Sequence, residues 1–321
     1  MIKFIIRRLI IAIPQLFVLS IFIYFLTSLM PGDAFSGMID LEGTSPEDIE
    51  RLRDMYGLND PWYQQYWRWM TGFIQGDLGY SVRYSQPVLD VIMDRSANTL
   101  LLGVFALFFS YLLGIPLGII SGRFNDSWAD KAINGFTYVG FAAPTFIFAL
   151  IMLFVFGFNL GWFPTQGSAA PGSVPGTLDY YISKIHHLML PSISLALLTL
   201  VGTVQYLRSE VIDVKHKEFV QTAKAKGANE NRVYNKHIFR NSLLPIAAFF
   251  GYEVLGLITG SVFIERVFSF PGMGNLLISS ISVRDFSIVS SLLLIFGFAT
   301  IIGTVISDII LGIVDPRIRI K

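Results

Sequence analysis

The chain has 321 residues, 53% of them hydrophobic and only 15% charged, with a mean hydropathy of +0.58 and a formal net charge of +1. Soluble domains carry about a quarter charged residues, so a deficit spread over the whole length excludes an ordinary soluble protein and indicates an integral membrane protein, while near-neutrality gives no nucleic-acid footprint. Without cysteine no disulfide framework or zinc ribbon can form, and His186, His187, His216 and His237 make no HExxH metalloprotease motif.

Lys3, Arg7 and Arg8 open the chain, and the uncharged run from Leu9 to Met30 follows. That run exceeds the ~7–15 residues of a signal-peptide core and no small-x-small site follows, so it is expected to stay as an uncleaved span. Apolar stretches near 9–30, 98–121, 135–160, 188–207, 242–264 and 288–312 predict an all-α integral membrane protein with six transmembrane helices. An even number puts both termini on one side. With them inside, 16 of the 24 Lys and Arg fall in inner segments, and five of the other eight lie in the long first loop, where charge has little say. Both termini are therefore expected in the cytoplasm. The chain divides into a tail and first span (1–30), an extracytoplasmic helical loop (31–97), and a core of the remaining spans (98–321) with a cytoplasmic loop at 208–241.

In the first outer loop, Ser45-Pro46-Glu47-Asp48 is a helix start, and that helix should run to about Tyr56 and stop at Gly57. Asp60-Pro61 should begin another, carrying Trp62, Tyr63, Tyr66, Trp67 and Trp69 at the membrane surface. The loop reads either as a cover over the outer mouth or as a platform for a delivering partner. Gly114, Pro116 and Gly118 in span two, and Ala142-Ala143-Pro144 in span three, read first as close helix packing. LGWFPTQGSAAPGSVPGTLDYY is a turn-dense connection, and His186-His187 mark a span boundary rather than a metal site.

The polar run Arg208–Pro245 holds eight Lys and Arg between two apolar spans, which places it in the cytoplasm. Phe219, Val220 and Ala223 give a short helix one apolar stripe, Gly227 should stop it, and Asn229 should cap a second helix running towards Phe239. Glu253 near the middle of span five must face the bundle interior or water; it reads as a lining residue of a substrate path or as a hydrogen-bonded packing residue. Asp308 reads as a boundary residue.

The Arg208–Pro245 loop resembles that of the inner-membrane permeases of ATP-binding-cassette importers. Their hallmark is Glu-Ala-Ala, three residues, Gly, then nine residues before Ile-x-Leu-Pro. Here Gln221-Thr222-Ala223 precedes Gly227 by the same spacing, and Ala223 and Gly227 match strictly. His237 replaces the expected Ile and Leu244-Pro245 comes five residues late. The form QTAKAKGANENRVYNKHIFRNSLLPI is similar to the oligopeptide and dipeptide permeases. So are Gly76-Asp77-Leu78-Gly79, LGWFPTQG, Val267 to Gly274, Ser282 to Phe286 (expected as the outer loop before span six) and the closing Asp315-Pro316-Arg317. The resemblance implies that Glu218, Phe219, Gln221, Thr222, Ala223, Lys224, Lys226, Gly227 and Ala228 couple to a cytoplasmic ATPase. It also implies partners: a second homologous permease subunit, two ATP-binding-cassette ATPases and an extracytoplasmic peptide-binding lipoprotein, in a bacterial or archaeal cytoplasmic membrane.

No G-x-x-x-x-G-K-[ST] phosphate loop and no Gly-Lys pair occur, so ATP-Mg would bind in the partner ATPases and this chain would not be an enzyme. The reading is the membrane subunit of an ATP-driven peptide importer. Nickel or glutathione is the alternative cargo, and an ion-coupled secondary transporter the alternative class; the latter needs midplane ion ligands, for which only Glu253 is on hand.

Overall fold

The computed structural model describes residues 2–30, 46–55, 57, 59–81, 83–243, 253 and 262–314. The Ser45 cap, the helix end at Tyr56, all of span five except its ends and Glu253, Leu244-Pro245 and the closing Asp315-Pro316-Arg317 lie outside these residues. The described chain is mostly helical: α1 Ile2–Ser28, α2 Pro46–Met55, α3 Trp62–Gln75, a two-strand hairpin (β1 Tyr80–Ser81, β2 Gln86–Pro87), α4 Val88–Arg123, α5 Trp128–Ala142 and α6 Thr145–Met152, which continues as a π-helical stretch, Leu153–Asn159. Then come α7 Leu178–Lys215, α8 Glu218–Ala225, α9 Glu230–Arg232, a π-helical stretch Val233–Ile238, α10 Phe239–Ser242, α11 Val262–Val267, α12 Met273–Ser282 and α13 Phe286–Val314.

Among the described residues four helices are long and apolar enough to cross a membrane: Ile6–Ser28, Val88–Arg123, Leu178–Lys215 and Phe286–Ile309. A fifth crossing is present if α5 and α6 form one span, and these meet at a bend of 111°. The stretch expected as a span over 135–160 is this bent pair. It starts at Trp128 and breaks at Ala143, which is extended (φ −77°, ψ 122°) because the ring of Pro144 disfavours helical backbone in the residue before it. Conversely, the boundary expected at His186-His187 is the interior of α7, which starts eight residues earlier under a Thr177 cap. The outer loop expected over 267–286 contains α12, whose Met273, Leu276, Leu277 and Ser280 form one buried face.

The core is the pair α4–α7. Gly114, Gly118 and Gly122 sit one above the next on α4. A Cβ at each would lie 3.4 Å from Leu200 and Thr203, 2.9 Å from Leu207, and 2.6 Å from Val211. Absent side chains let the backbones close up, so the packing reading of this glycine row holds. Gly140 brings α5 onto α7 in the same way, its Cβ position lying 2.7 Å from Val201. α1 rests on α13, where Gly297 accepts Leu19, and Arg8 and Asp308 form an ion pair at 3.1 Å. Asp308 is therefore a helix-pairing residue and not only a boundary one.

Candidate functional site

α7 does not end where the polar run begins. Arg208 to Lys215 belong to the helix, so Arg208 is a structural residue and not part of a loop. Its guanidinium grips Asp130 of α5 with both ends, Nε to Oδ1 at 2.7 Å and Nη2 to Oδ2 at 2.8 Å. Asp130 is buried and also accepts from Ser121 Oγ, the Asp126 N–H and Asn134 Nδ2, which fills the lone pairs a buried carboxylate must satisfy. Gln205 extends the network to Asn134 and Thr137. Two turns on, Lys215 Nζ donates to the carbonyls of Gly122 and Arg123 and to Asn125 Oδ1, closing the C-terminus of α4 with a cation where the helix dipole is negative.

α8 leaves α7 after a two-residue turn and stops at Gly227 for a reason the backbone shows. Ala228 N–H reaches Ala223 O at 3.2 Å, Gly227 N–H reaches Lys224 O at 2.9 Å, and Gly227 sits at φ +75°. These two bonds make a Schellman closure. The Ala223…Gly227 spacing is thus the span of one helix C-cap, in which only glycine adopts the left-handed turn without strain. Asn229 Oδ1 then accepts from the Asn231 N–H, and helical backbone runs on from Glu230 to Ser242, as expected of an Asn229 cap.

The elbow has two faces. Its inner face is a small core in which Val220 meets Leu207, Val211 and Val214 of α7 and Val233, Tyr234 and Ile238 beyond the turn, with Ala223 and Ala228 packed alongside. Phe219, expected in that stripe, is 42% exposed instead. The reason is geometric: residues 219 and 220 are 100° apart around the axis, and the core takes Val220. Glu218, Phe219, Gln221, Thr222, Lys224, Lys226 and Gly227 are exposed together. Arg123, which sequence reading counted only as a topology charge, ties α4 to this elbow. It donates to Asn231 Oδ1 at 3.0 Å and lies 4.5 Å over the Tyr234 ring. Burial pushes the Tyr234 phenol above its ordinary pKa, with the Arg123 charge acting the other way, so the ring stays neutral beneath the cation.

Glu253 is half-buried and accepts a hydrogen bond from Tyr111 of α4, which pins one carboxylate oxygen. At the α7 N-terminal end of the bundle, two short segments singled out in the sequence meet: Ser81 of the hairpin donates to Asp285, whose other oxygen accepts the Ile288 N–H and caps α13. Next to them Glu265, which the sequence reading passed over, is fully buried. It accepts from Thr99 Oγ at 2.8 Å and from the Asn275 N–H at 2.9 Å, while Gly272 leaves room for its carboxylate: a Cβ there would lie 2.4 Å from it. The signal that could have found it is an acid directly ahead of Val267–Gly274.

Comparison with known proteins bears on this arrangement directly. Residues 114–320 match the model of the binding-protein-dependent transport system inner membrane component, and residues 1–103 match that of its N-terminal region. The chain belongs to this family. Its relatives include the oligopeptide transport system permease protein AppB of Bacillus subtilis, 39% identical over 99% of this chain and 100% of the relative. OppB of Haemophilus influenzae, also named an oligopeptide transport system permease protein, is 37% identical over the same shares. The glutathione transport system permease protein GsiC of Escherichia coli is 30% identical over the full length of both. A multi-pass inner-membrane component of a binding-protein-dependent transporter accounts for the apolar helices, and the elbow presents a preformed polar face outside them.

Proposed function

We propose that this chain is a membrane-spanning subunit of an ATP-driven importer of peptides, crossing the membrane six times with both termini and the α8 elbow in the cytoplasm. A second homologous permease completes the translocation path. Two ATP-binding-cassette ATPases, which bind ATP-Mg, dock on the cytoplasmic loops of the two permeases, one of them on the exposed face of α8 here (Glu218, Phe219, Gln221, Thr222, Lys224 and Lys226), and an extracytoplasmic lipoprotein delivers the peptide. The observation that carries the reading is the elbow itself: a closed helix end on a core of its own, tied to α4 through Arg123 and Lys215, with a polar outer face. Closure of the ATPases would move α8, and these ties would pass the motion to the α4–α7 pair as a rigid body. Glu253 lines the path in this proposal, with Tyr111 setting its orientation.

The cargo class follows the relatives, whose names specify oligopeptide or glutathione transport. Phe219→Asp tests the docking face. Because Phe219 is exposed, the variant should reach the membrane and fold, yet lose ATPase co-purification and peptide uptake in reconstituted vesicles. Normal uptake would refute docking on α8.

A further inference from the structure

α3 has three faces, and only two of them have an evident neighbour. Tyr66, Trp69 and Phe73 turn inward: Tyr66 Oη and Ser20 Oγ share a hydrogen bond of 2.8 Å, Tyr24 donates to Gln65 at 3.1 Å, and the tilted rings of Tyr24 and Trp69 lie 5.5 Å apart. Gln64, Arg68, Thr71 and Gln75 form an exposed polar stripe. Between these lies a second apolar stripe at i, i+4, i+7 and i+11: Tyr63, Trp67, Met70 and Ile74, of which Trp67 is 55% and Ile74 72% exposed.

The depth of this helix is fixed by what it touches. The membrane-crossing part of α1 ends at Ser28, and Ser20 lies eight residues earlier, about 12 Å down the helix at 1.5 Å per residue. Phe17, deeper still, contacts both Tyr66 and Trp67 at 6.4 Å between ring centroids. A helix resting above the membrane would meet α1 only near its end. α3 instead crosses it inside the C-terminal half of the span, beside the exposed Phe17, Ile21 and Phe25 of α1. We infer that α3 is an interfacial helix sunk into one leaflet, and that Tyr63, Trp67 and Ile74 contact phospholipid where acyl chains meet headgroups. The lipid-facing side of α1 continues directly onto this stripe, the polar stripe faces water, and two of the three exposed side chains are the amphipathic aromatics such a boundary favours. That the leaflet is the outer one rests on the topology proposed above; contact with lipid does not. This placement deepens the helix expected at the membrane surface, and a stripe in lipid would not serve as a platform for a delivering protein.

The chain has no cysteine, so single labels can be placed at will. Nitroxide labels at Trp67→Cys and Ile74→Cys, in the full chain reconstituted into phosphatidylethanolamine–phosphatidylglycerol vesicles, should collide with oxygen far more than with a water-soluble nickel chelate. Gln64→Cys and Thr71→Cys should show the reverse preference. Equal access to the nickel chelate at 67 and 74 would put the stripe in water, and shielding from both reagents would put it under protein; either overturns the inference. Should labelling disturb the fold, Trp67→Phe gives a second measurement. It should lower the fraction of tryptophan emission quenched by brominated acyl chains, and an unchanged fraction also overturns the inference.

Discussion

At the elbow end of the bundle, charged side chains reach between elements: Arg208 to Asp130, Lys215 to the end of α4, Arg123 to Asn231 and Tyr234. At the opposite end, carboxylates turn inward to hydroxyls and backbone N–H groups: Glu265 to Thr99 and Asn275, Asp285 to Ser81 and Ile288. The first arrangement leaves polar surface pointing out; the second consumes its polar groups internally. The contrast teaches where force can enter. A junction that satisfies itself is a clamp, whereas the elbow keeps a polar face exposed and has stiff links behind it.

Substitutions can break that contrast. The largest effect is expected from Arg208→Ala, which leaves Asp130 buried without its cation, at a cost of about 3–5 kcal/mol. Little folded protein should survive detergent extraction, as read by the loss of a monodisperse chromatographic peak; Asp130→Asn in the same chain should restore part of it. Gly227→Val comes next, because a β-branched residue at φ +75° costs about 1–3 kcal/mol. The variant should still insert, since a Cβ there meets nothing within 4 Å, but α8 should end differently and ATPase binding should fall. Wild-type uptake by Gly227→Val would mean that the cap geometry is dispensable. Smallest for coupling is Ser81→Ala at the clamp, which removes the donor to Asp285 and the acceptor for the Tyr84 N–H at a local cost of about 1–3 kcal/mol. It should lower the melting temperature slightly and leave ATPase binding untouched, and a coupling defect there would erase the distinction between the two ends.

Much of this was legible in the residues themselves. Leu9–Met30 announces a span by length and lack of charge, and the Ala223-to-Gly227 spacing with Asn229 gives the helix, stop and second cap found. Such features are local: a cap or a span is decided within a dozen residues by backbone chemistry. Pro144 was equally visible, but whether a proline bends a span or only dents it depends on neighbouring helices, and the bend is 111°. Phe219 and Val220 are indistinguishable as apolar letters until the rotation of α8 against α7 buries one and exposes the other.

What the sequence determined alone was the class of molecule, the basic elbow and its glycine stop, because charge, hydropathy and backbone freedom act at short range. The tertiary structure decided the pairings: Arg208 with Asp130, Arg8 with Asp308, Ser81 with Asp285, and α3 with the C-terminal half of α1. Partners 46 to 300 residues apart carry no mark of one another in the chain. Only the close approach of helices, set by small residues such as Gly118 and Gly122, brings them within reach.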